Sequence, residues 1–191
     1  NHIAGNSGSE YGYGYGYGGR RAPNARAGEK TGVDGEENLE VKIELLPHDR
    51  PRLAVSEAYR SLRTSLLLST ARELRTIAVT SAVPGEGKTS TAANLAAVLA
   101  QLPKRVLLVD GDLRKPRQHE VFHATNKVGL VSFLTHTTEA DKIVFRCDIE
   151  NLYLTPSGPI PPNPSELLSS ERMGEFLKFV RSQFDIVIID S

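Results

Sequence analysis

Four short runs of the chain are dominated by apolar residues on consecutive positions, which is typical of strands buried on both faces of a sheet. The runs are TIAVTS at 76–81, RVLLVD at 105–110, NLYLT at 151–155 and DIVIID at 185–190. Stretches of helical character separate them. This alternation predicts an α/β fold in three layers, with a mainly parallel sheet and helices on both of its faces.

Two segments have the character of helices. Between Leu53 and Ser69 apolar residues recur at helical spacing, which predicts an amphipathic helix. The apolar positions in this segment are Leu53, Ala54, Ala58, Leu62, Leu66 and Leu67. The alanine-rich segment from Lys88 to Gln101 follows the first strand and a glycine-rich turn, and it predicts a second helix.

The N-terminal part of the chain has a different composition. Residues 1–48 are predicted to be a disordered linker, because glycine, polar and charged residues dominate and aliphatic residues are few, most clearly up to about residue 38. Tyr11, Tyr13, Tyr15 and Tyr17 alternate with glycine there. Residues 49–191 are predicted to form one domain that is incomplete at its C-terminal end, since the sequence stops directly after a strand.

The overall composition excludes several classes of function. Lys plus Arg and Asp plus Glu both number 23, so no global positive field favours nucleic acid as a partner. The lone Cys147 excludes an intramolecular disulfide and a multi-cysteine metal site, and a buried, unreactive side chain is the favoured interpretation. No apolar run approaches the roughly 18 residues that cross a bilayer, so this chain is expected to be soluble.

The segment AVPGEGKT at 82–89 has the spacing of a phosphate-binding loop, with alanine in place of the first glycine. Gly85 and Gly87 allow the backbone to turn its N–H groups toward an anion, and the helix that follows adds its positive end. Lys88 can reach the β and γ phosphates, and the Thr89 hydroxyl suits magnesium. The predicted nucleotide-binding residues are Pro84, Gly85, Glu86, Gly87, Lys88, Thr89 and Ser90. The alternative, an ordinary glycine turn, does not explain a GKT sequence at a junction of strand and helix.

Three carboxylates follow predicted strands. Asp110 and Asp112 end the second run, and Asp190 ends the fourth. Ligands of open parallel sheets bind at the carboxyl ends of the strands, so these acids are expected to converge on the phosphate loop. Magnesium prefers oxygen ligands, and an attacking hydroxyl needs a proton acceptor. The alternative role, as helix caps and turn residues, stays open, above all for Asp112.

Several motifs in one order resemble the cytoplasmic kinase domain of the bacterial tyrosine kinases, the autokinases of capsule and exopolysaccharide export. They are SEAYRSLRTSL at 56–66, SAVPGEGKTS at 81–90, LLVDGDLRKP at 107–116, GLVSFL at 129–134, LTPSGPIPPNPSELL at 154–168 and FDIVIID at 184–190. The resemblance covers about residues 50–191. It implies a P-loop NTPase fold of the MinD/ParA-like superfamily and ATP-dependent phosphorylation of tyrosine with Mg²⁺.

The resemblance also implies roles for the site residues. Lys88 and Thr89 hold phosphate and magnesium. Asp110 acts as the base for the tyrosine hydroxyl, Asp112 supports catalysis and the metal, and Asp190 contacts the metal through water.

A motif of the form E-x-x-R-x-x-R is formed by Glu57, Arg60 and Arg63. In the resembling family it builds ring-like homo-oligomers that present tyrosines to neighbouring active sites. The spacing alone favours ion pairs within one helix on a solvated face, and only the resemblance favours the interface. Other partners implied by the resemblance are a membrane polysaccharide co-polymerase or activator segment and a cognate tyrosine phosphatase, at the cytoplasmic face of the bacterial inner membrane.

Two alternatives to a kinase are an assembly ATPase like MinD or ParA and a nucleotide-gated adaptor of the polysaccharide chain-length machinery. The partitioning and cell-division ATPases carry a lysine near the start of the loop, where this chain has Val83. The kinases usually carry a tyrosine cluster beyond the last strand, which this sequence lacks. We therefore hypothesise that Tyr11, Tyr13, Tyr15 and Tyr17 are the phosphoacceptors; a linker with no such role is the alternative.

Overall fold

The computed structural model describes residues 43–69 and 73–191. The disorder predicted for residues 1–42, including the glycine and tyrosine tract, concerns residues outside the described ranges and stays a prediction. The predicted end of the linker after His48 is wrong, because residues 43–48 pack on the domain. Leu46 is 7% exposed, and the Ile43 carbonyl accepts a hydrogen bond of 2.8 Å from the Asn94 side chain.

The described residues form seven α-helices, one 3₁₀ helix and five strands. The helices are α1 (Leu46–Asp49), α2 (Ala54–Leu68), α3 (Lys88–Ala100), α4 (Gln118–Val121), α5 (Leu130–Leu134), α6 (Pro164–Leu168) and α7 (Glu171–Gln183), and the 3₁₀ helix is Ala140–Ile143. The strands are β1 (Thr76–Val79), β2 (Val106–Asp110), β3 (Phe145–Arg146), β4 (Leu152–Thr155) and β5 (Ile186–Asp190). The predicted helices and four predicted strands are therefore confirmed to within one or two residues at their ends.

The strands form one mixed sheet in the order β1-β5-β2-β4-β3. β1, β5, β2 and β4 are parallel, and the short β3 pairs antiparallel with β4. The sequence did not predict β3, because two residues are too short to show a pattern. In this order β5, the last strand in sequence, lies between β1 and β2, which brings the three strand ends of the predicted site together.

Helices cover both faces of the sheet, and each face has its own apolar core. On one face α3 packs against the sheet, and its residues from Ala92 to Ala100 are all buried. On the other face α5, α7 and the 3₁₀ helix cover the sheet around Phe133 and Phe176, whose ring centroids are 5.7 Å apart. The predicted three-layer α/β fold is confirmed.

β1 was predicted to be buried on both faces, and the structure shows that it is not. Its residues alternate between exposed and half-buried positions. The reason is its place at the edge of the sheet, which depends on the strand order and is not visible in the local sequence.

The apolar positions of α2 also differ from the expectation of a face packed on the core. Leu66 and Leu67 contact the core, whereas Leu53 and Leu62 are each 39% exposed and Ala58 is exposed. α2 thus packs through Ser56, Tyr59, Leu66 and Leu67 and leaves an exposed apolar strip that includes Val55, Ala58 and Leu62. Among the described residues, no helix is long and apolar enough to cross a membrane.

Candidate functional site

The phosphate loop connects β1 to α3 through two glycines in the left-handed conformation. Gly85 has φ 86° and Gly87 has φ 87°, values that side chains with a Cβ rarely adopt. Gly87 is the N-cap of α3, so Lys88 and Thr89 are its first two residues. The sequence therefore needs these two glycines to turn the chain from the strand into the helix.

Hydrogen bonds within the chain hold the phosphate loop at its start and just after its end. The Glu86 carboxylate accepts hydrogen bonds from the backbone N–H groups of Ala82 (3.1 Å) and Val83 (3.3 Å). The Ser90 hydroxyl donates to Glu44 at 3.0 Å. In this structure the side chains of Glu86 and Ser90, both predicted to bind nucleotide, are thus engaged with the protein itself.

Asp110 and Asp190 are neighbours at the carboxyl ends of adjacent strands. They are register partners in the pairing of β2 with β5, and they are 0% and 1% exposed. Gly111 lies against them: its N–H donates to the Asp190 carbonyl at 2.8 Å, and a Cβ on it would lie 2.8 Å from the same oxygen. The predicted convergence of these two acids at one edge of the sheet is what the structure shows.

Gln118 joins the segments of the site and was missed by the sequence analysis. It is 0% exposed, and its amide nitrogen donates to the Thr89 carbonyl (3.1 Å) and to Oδ2 of Asp190 (2.9 Å). Its backbone N–H donates to Oδ2 of Asp110 at 3.0 Å. No spacing rule marks a glutamine eight residues after a strand, so only the tertiary fold identifies it.

The buried position of Asp110 changes its acidity. Burial raises the pKa of Asp110 to about 7, and the nearby charges of Asp190 and Asp112 act in the same direction. The hydrogen bond from the Gln118 backbone opposes the rise. A bound cation would oppose it further, because a positive charge favours the ionised carboxylate.

Burial raises the pKa of Asp190 as well. The Gln118 amide, the Thr89 hydroxyl and the Lys88 ammonium oppose this rise, so all three act on the Asp190 carboxylate. The phosphate loop and the end of β5 therefore share one electrostatic environment.

The donor set fits magnesium. Oδ1 of Asp110 and Oδ1 of Asp190 are buried without a hydrogen-bond partner, although buried polar atoms normally have one. Both are hard carboxylate oxygens of the kind that magnesium prefers, and the Thr89 hydroxyl acts on the Asp190 carboxylate. In the described part of the chain no three His, Cys, Asp or Glu side chains cluster as a metal cage. Magnesium does not need one, because it is usually held by one or two carboxylates together with phosphates and water.

Asp112 has the turn role that the sequence left open. Its Oδ1 accepts hydrogen bonds from the backbone N–H groups of Arg114 (3.1 Å) and Lys115 (2.9 Å). Its charge nevertheless contributes to the raised pKa values of Asp110 and Asp190. Asp112 thus belongs to the electrostatic site while shaping the turn after β2, and its role in metal binding stays a prediction.

Comparison with known proteins identifies the domain. Residues 74–191 match the family described as "AAA domain", which is more than half of the chain. This chain belongs to the AAA domain family. The matched range contains the phosphate loop, Asp110, Gln118 and Asp190.

Relatives of this AAA domain confirm the resemblance to bacterial tyrosine kinases. It is 46% identical over 142 residues to "Tyrosine-protein kinase YwqD" of Bacillus subtilis, which covers 74% of this chain and 60% of that protein. The chain thus spans less than two thirds of that relative's length.

Solved structures agree with this kinship. "The kinase domain of Escherichia coli tyrosine kinase ETK" is 37% identical, with a TM-score of 0.73 over 76% of this chain and 57% of that one. The septum site-determining protein MinD of Pyrococcus horikoshii, complexed with Mg-ADP, is 26% identical, with a TM-score of 0.54 over 61% and 48%. The AAA domain therefore shares its fold with both the kinases and the MinD ATPases.

The E-x-x-R-x-x-R residues of this AAA domain make contacts within the chain. Arg60 pairs with Glu57, three residues earlier in α2. Arg63 reaches α3 instead, where its guanidinium donates to the Val98 carbonyl at 2.7 Å and to Gln101 at 3.3 Å. The ion-pair alternative thus describes the first two residues, and the interface role of the motif stays a prediction.

Proposed function

We propose that the protein is an ATP-dependent protein-tyrosine autokinase that acts in the synthesis and export of capsular or extracellular polysaccharide. The observation that carries this proposal is the junction of a phosphate loop with two buried carboxylates, each with one oxygen that lacks a protein partner. Such a site can hold a triphosphate with its cation and can accept the proton of an attacking hydroxyl. The chain's kinship to proteins named tyrosine kinases selects tyrosine as the acceptor.

The chain's own groups divide the work of phosphoryl transfer. The backbone N–H groups from Gly85 to Thr89 and the Lys88 ammonium bind and orient the phosphates. Asp110 accepts the proton of the tyrosine hydroxyl. Thr89 and Asp190 would hold Mg²⁺, Asp190 through water; when bound, the ion neutralises phosphate charge. That MinD is solved as a complex with Mg-ADP supports this placement.

The protein is proposed to act on copies of itself in a ring-like oligomer. Besides the motif Glu57, Arg60 and Arg63, α2 leaves Val55 47% exposed and Leu62 39% exposed. An exposed apolar strip beside charged residues is typical of an interface. This observation favours an intermolecular surface on α2 over a helix face that only meets water.

The proposed phosphoacceptors are Tyr11, Tyr13, Tyr15 and Tyr17. The two other tyrosines have packed side chains: Tyr59 contacts the core beside α3, and the Tyr153 ring lies 5.1 Å from that of Phe184. Packed rings cannot easily enter a neighbour's active site. Phosphopeptide mapping after incubation with ATP tests the assignment; phosphate on Tyr59 or Tyr153 alone would refute it.

The remaining partners follow from the kinship alone. A membrane co-polymerase or activator segment and a tyrosine phosphatase are proposed, with the protein at the cytoplasmic face of the inner membrane. Crosslinking in cells that carry the complete polysaccharide locus tests for the activator.

The decisive experiment compares Lys88→Met with Lys178→Met in the full-length protein. Lys178 is exposed on α7, far along the chain from the loop, and serves as the matched control. Lys88→Met should abolish both ATP retention and phosphotyrosine, whereas Lys178→Met should retain both. Phosphotyrosine that persists in Lys88→Met would contradict the assignment of the loop.

The same assay separates the kinase from an assembly ATPase. Release of free phosphate from ATP by the unmodified protein, with no phosphotyrosine at any protein concentration, would favour the ATPase. The MinD neighbour makes this the alternative to exclude, although Val83 stands where those ATPases carry a lysine.

A further inference from the structure

Gln118 links three parts of the site that are far apart in sequence. Its side chain bridges Thr89, at the start of α3, and Asp190, at the end of β5, while its backbone N–H holds Asp110, at the end of β2. The contacts with Asp110 and Asp190 are buried, and the contact with Thr89 is partly buried. One residue thus determines how the two carboxylates are oriented against the phosphate loop.

We propose that Gln118 is a positioning residue for magnesium: its amide fixes Oδ2 of Asp190, so that Oδ1 of Asp190 stays available to the water of the cation. Its backbone N–H fixes Oδ2 of Asp110, so that Oδ1 of Asp110 stays available to the tyrosine hydroxyl. The inference rests on the proposed nucleotide and magnesium site. Gln118 lies outside the phosphate loop and outside the LLVDGDLRKP motif. It adds an uncharged side chain to a site whose other functional side chains are mostly charged.

The chemistry of the amide explains why glutamine suits this position. An amide NH₂ group has two hydrogens, and here two acceptors, the Thr89 carbonyl and Oδ2 of Asp190, receive them. The reverse orientation would place the amide oxygen against both acceptors, so the network fixes which end points inward. The two hydrogen bonds therefore hold the side chain in one orientation.

The neutrality of the amide matters as much as its geometry. Asp110 and Asp190 are adjacent, buried and mutually repulsive, so one donor to each lowers the cost of keeping both ionised. A lysine or arginine would do the same but would neutralise the charge that attracts the cation. Gln118 stabilises the carboxylates without competing with the metal.

The test replaces Gln118 by leucine or methionine in the full-length protein, since both are close to glutamine in size and lack its donors. The backbone N–H to Asp110 stays in each variant, so the change isolates the bonds to Asp190 and Thr89. Gln183→Leu, an exposed glutamine at the end of α7, is the matched control. The probe is a fluorescent ADP analogue, whose binding is measured in EDTA and over a titration of Mg²⁺.

We expect the Gln118 variants to bind the analogue in EDTA within about threefold of the unmodified protein. The Mg²⁺ concentration for half-maximal effect should rise about 10- to 100-fold, the usual result of losing a group that orients a metal ligand. Gln183→Leu should change neither quantity. This separation of nucleotide affinity from metal dependence is not expected of a residue that only stabilises the fold.

Three outcomes would overturn the inference. They are an unchanged Mg²⁺ midpoint in a variant that melts like the unmodified protein, an equal loss of binding with and without Mg²⁺, and the absence of a cooperative melt in both variants, which would make Gln118 structural. None of these readings uses phosphotyrosine. Protein that binds the analogue but labels no tyrosine would therefore refute the kinase and leave the role of Gln118 standing.

Discussion

The carboxylates at the two ends of the sheet differ in burial and in their hydrogen-bond partners. At the amino end, Asp185 accepts the backbone N–H of Arg105 at 2.7 Å, just before β5 and β2 begin. The Arg105 guanidinium in turn lies over the rings of Phe184 (4.8 Å) and Tyr153 (5.3 Å). The acid there has a partner, and the cation beside it packs on aromatic rings.

At the carboxyl end, Asp110 and Asp190 are almost fully buried, and each keeps an oxygen without a partner. A buried polar atom without a hydrogen bond costs on the order of 1–3 kcal/mol, and a charged one costs more. Asp185, Asp110 and Asp190 each accept a hydrogen bond, but of these three acids only Asp110 and Asp190 also keep a buried oxygen that lacks a partner. We take this difference as the mark of a binding site, because perturbed acids cluster where ligands bind.

The largest effect should come from Asp110→Asn, which keeps the shape of the side chain and removes its ability to accept the proton. We expect phosphotyrosine formation to fall by roughly 10²- to 10⁴-fold, the usual contribution of a positioned general base. Nucleotide retention should persist because the phosphate loop is intact. Initial rates of labelling and binding of a fluorescent nucleotide analogue measure the two quantities.

Asp185→Asn is the matched control for this change at the amino end. It should leave labelling unchanged and cost about 1 kcal/mol of unfolding free energy, since the Arg105 N–H loses a charged acceptor. Equal losses of labelling in the two variants would erase the functional difference between the two ends.

The second effect concerns Cys147, which lies near the amino end of β4 and donates its N–H to the Leu152 carbonyl at 3.0 Å. Burial, with a smaller contribution from the Asp148 charge, raises the pKa of its thiol from 9.0 to about 12. The thiol stays protonated as pH rises toward 12, so its thiolate fraction at pH 8 is about a thousandfold below that of an ordinary thiol.

Native protein should therefore react with an aromatic disulfide reagent about a thousandfold more slowly than urea-unfolded protein at pH 8. Cys147→Ser provides the blank. Rapid reaction of the native protein would show that the amino end also holds a reactive group, which would weaken the comparison.

The sequence predicted the phosphate loop and the pair of acids at the carboxyl end of the sheet, but not the residue that connects them. Gly85, Gly87 and Lys88 lie within four consecutive residues, so sequence spacing alone located the phosphate loop. The meeting of Asp110 with Asp190 could also be predicted, because parallel strands align their carboxyl ends. Both inferences needed only rules that act within an element or between parallel strands.

Gln118, β3 and the exposure of β1 could not be predicted because each depends on contacts distant in sequence. Gln118 bonds to Asp190 across 72 residues. β1 is half exposed because the strand order places it at an edge. The exposed apolar strip on α2 was missed for a similar reason, since helical spacing shows that residues share a face but not what that face meets.

A smaller effect is expected from Gly111→Ala at the carboxyl end. A Cβ on this residue would lie 2.8 Å from the Asp190 carbonyl oxygen and 3.1 Å from a methyl group of Ile189. Backbone must shift to admit it, at an overpacking cost of about 1–3 kcal/mol. The shift separates the ends of β2 and β5, so the Mg²⁺ requirement for nucleotide binding should rise together with the loss of stability in urea titrations.

The smallest effect, with the opposite sign for stability, is expected from Gly174→Ala in α7. Apart from the backbone of its own helix, a Cβ there meets no atom of the described residues within 4 Å, and the residue is exposed. Alanine should stabilise the protein by about 0.5–1 kcal/mol, because the unfolded chain has less conformational entropy with alanine than with glycine and therefore loses less on folding. The Mg²⁺ requirement should not change, as measured by the same nucleotide titration. If Gly174→Ala lowered that requirement while Gly111→Ala raised it, metal binding would follow global stability and not the local fit of β2 against β5. The contrast between the two ends of the sheet would then lose its functional meaning.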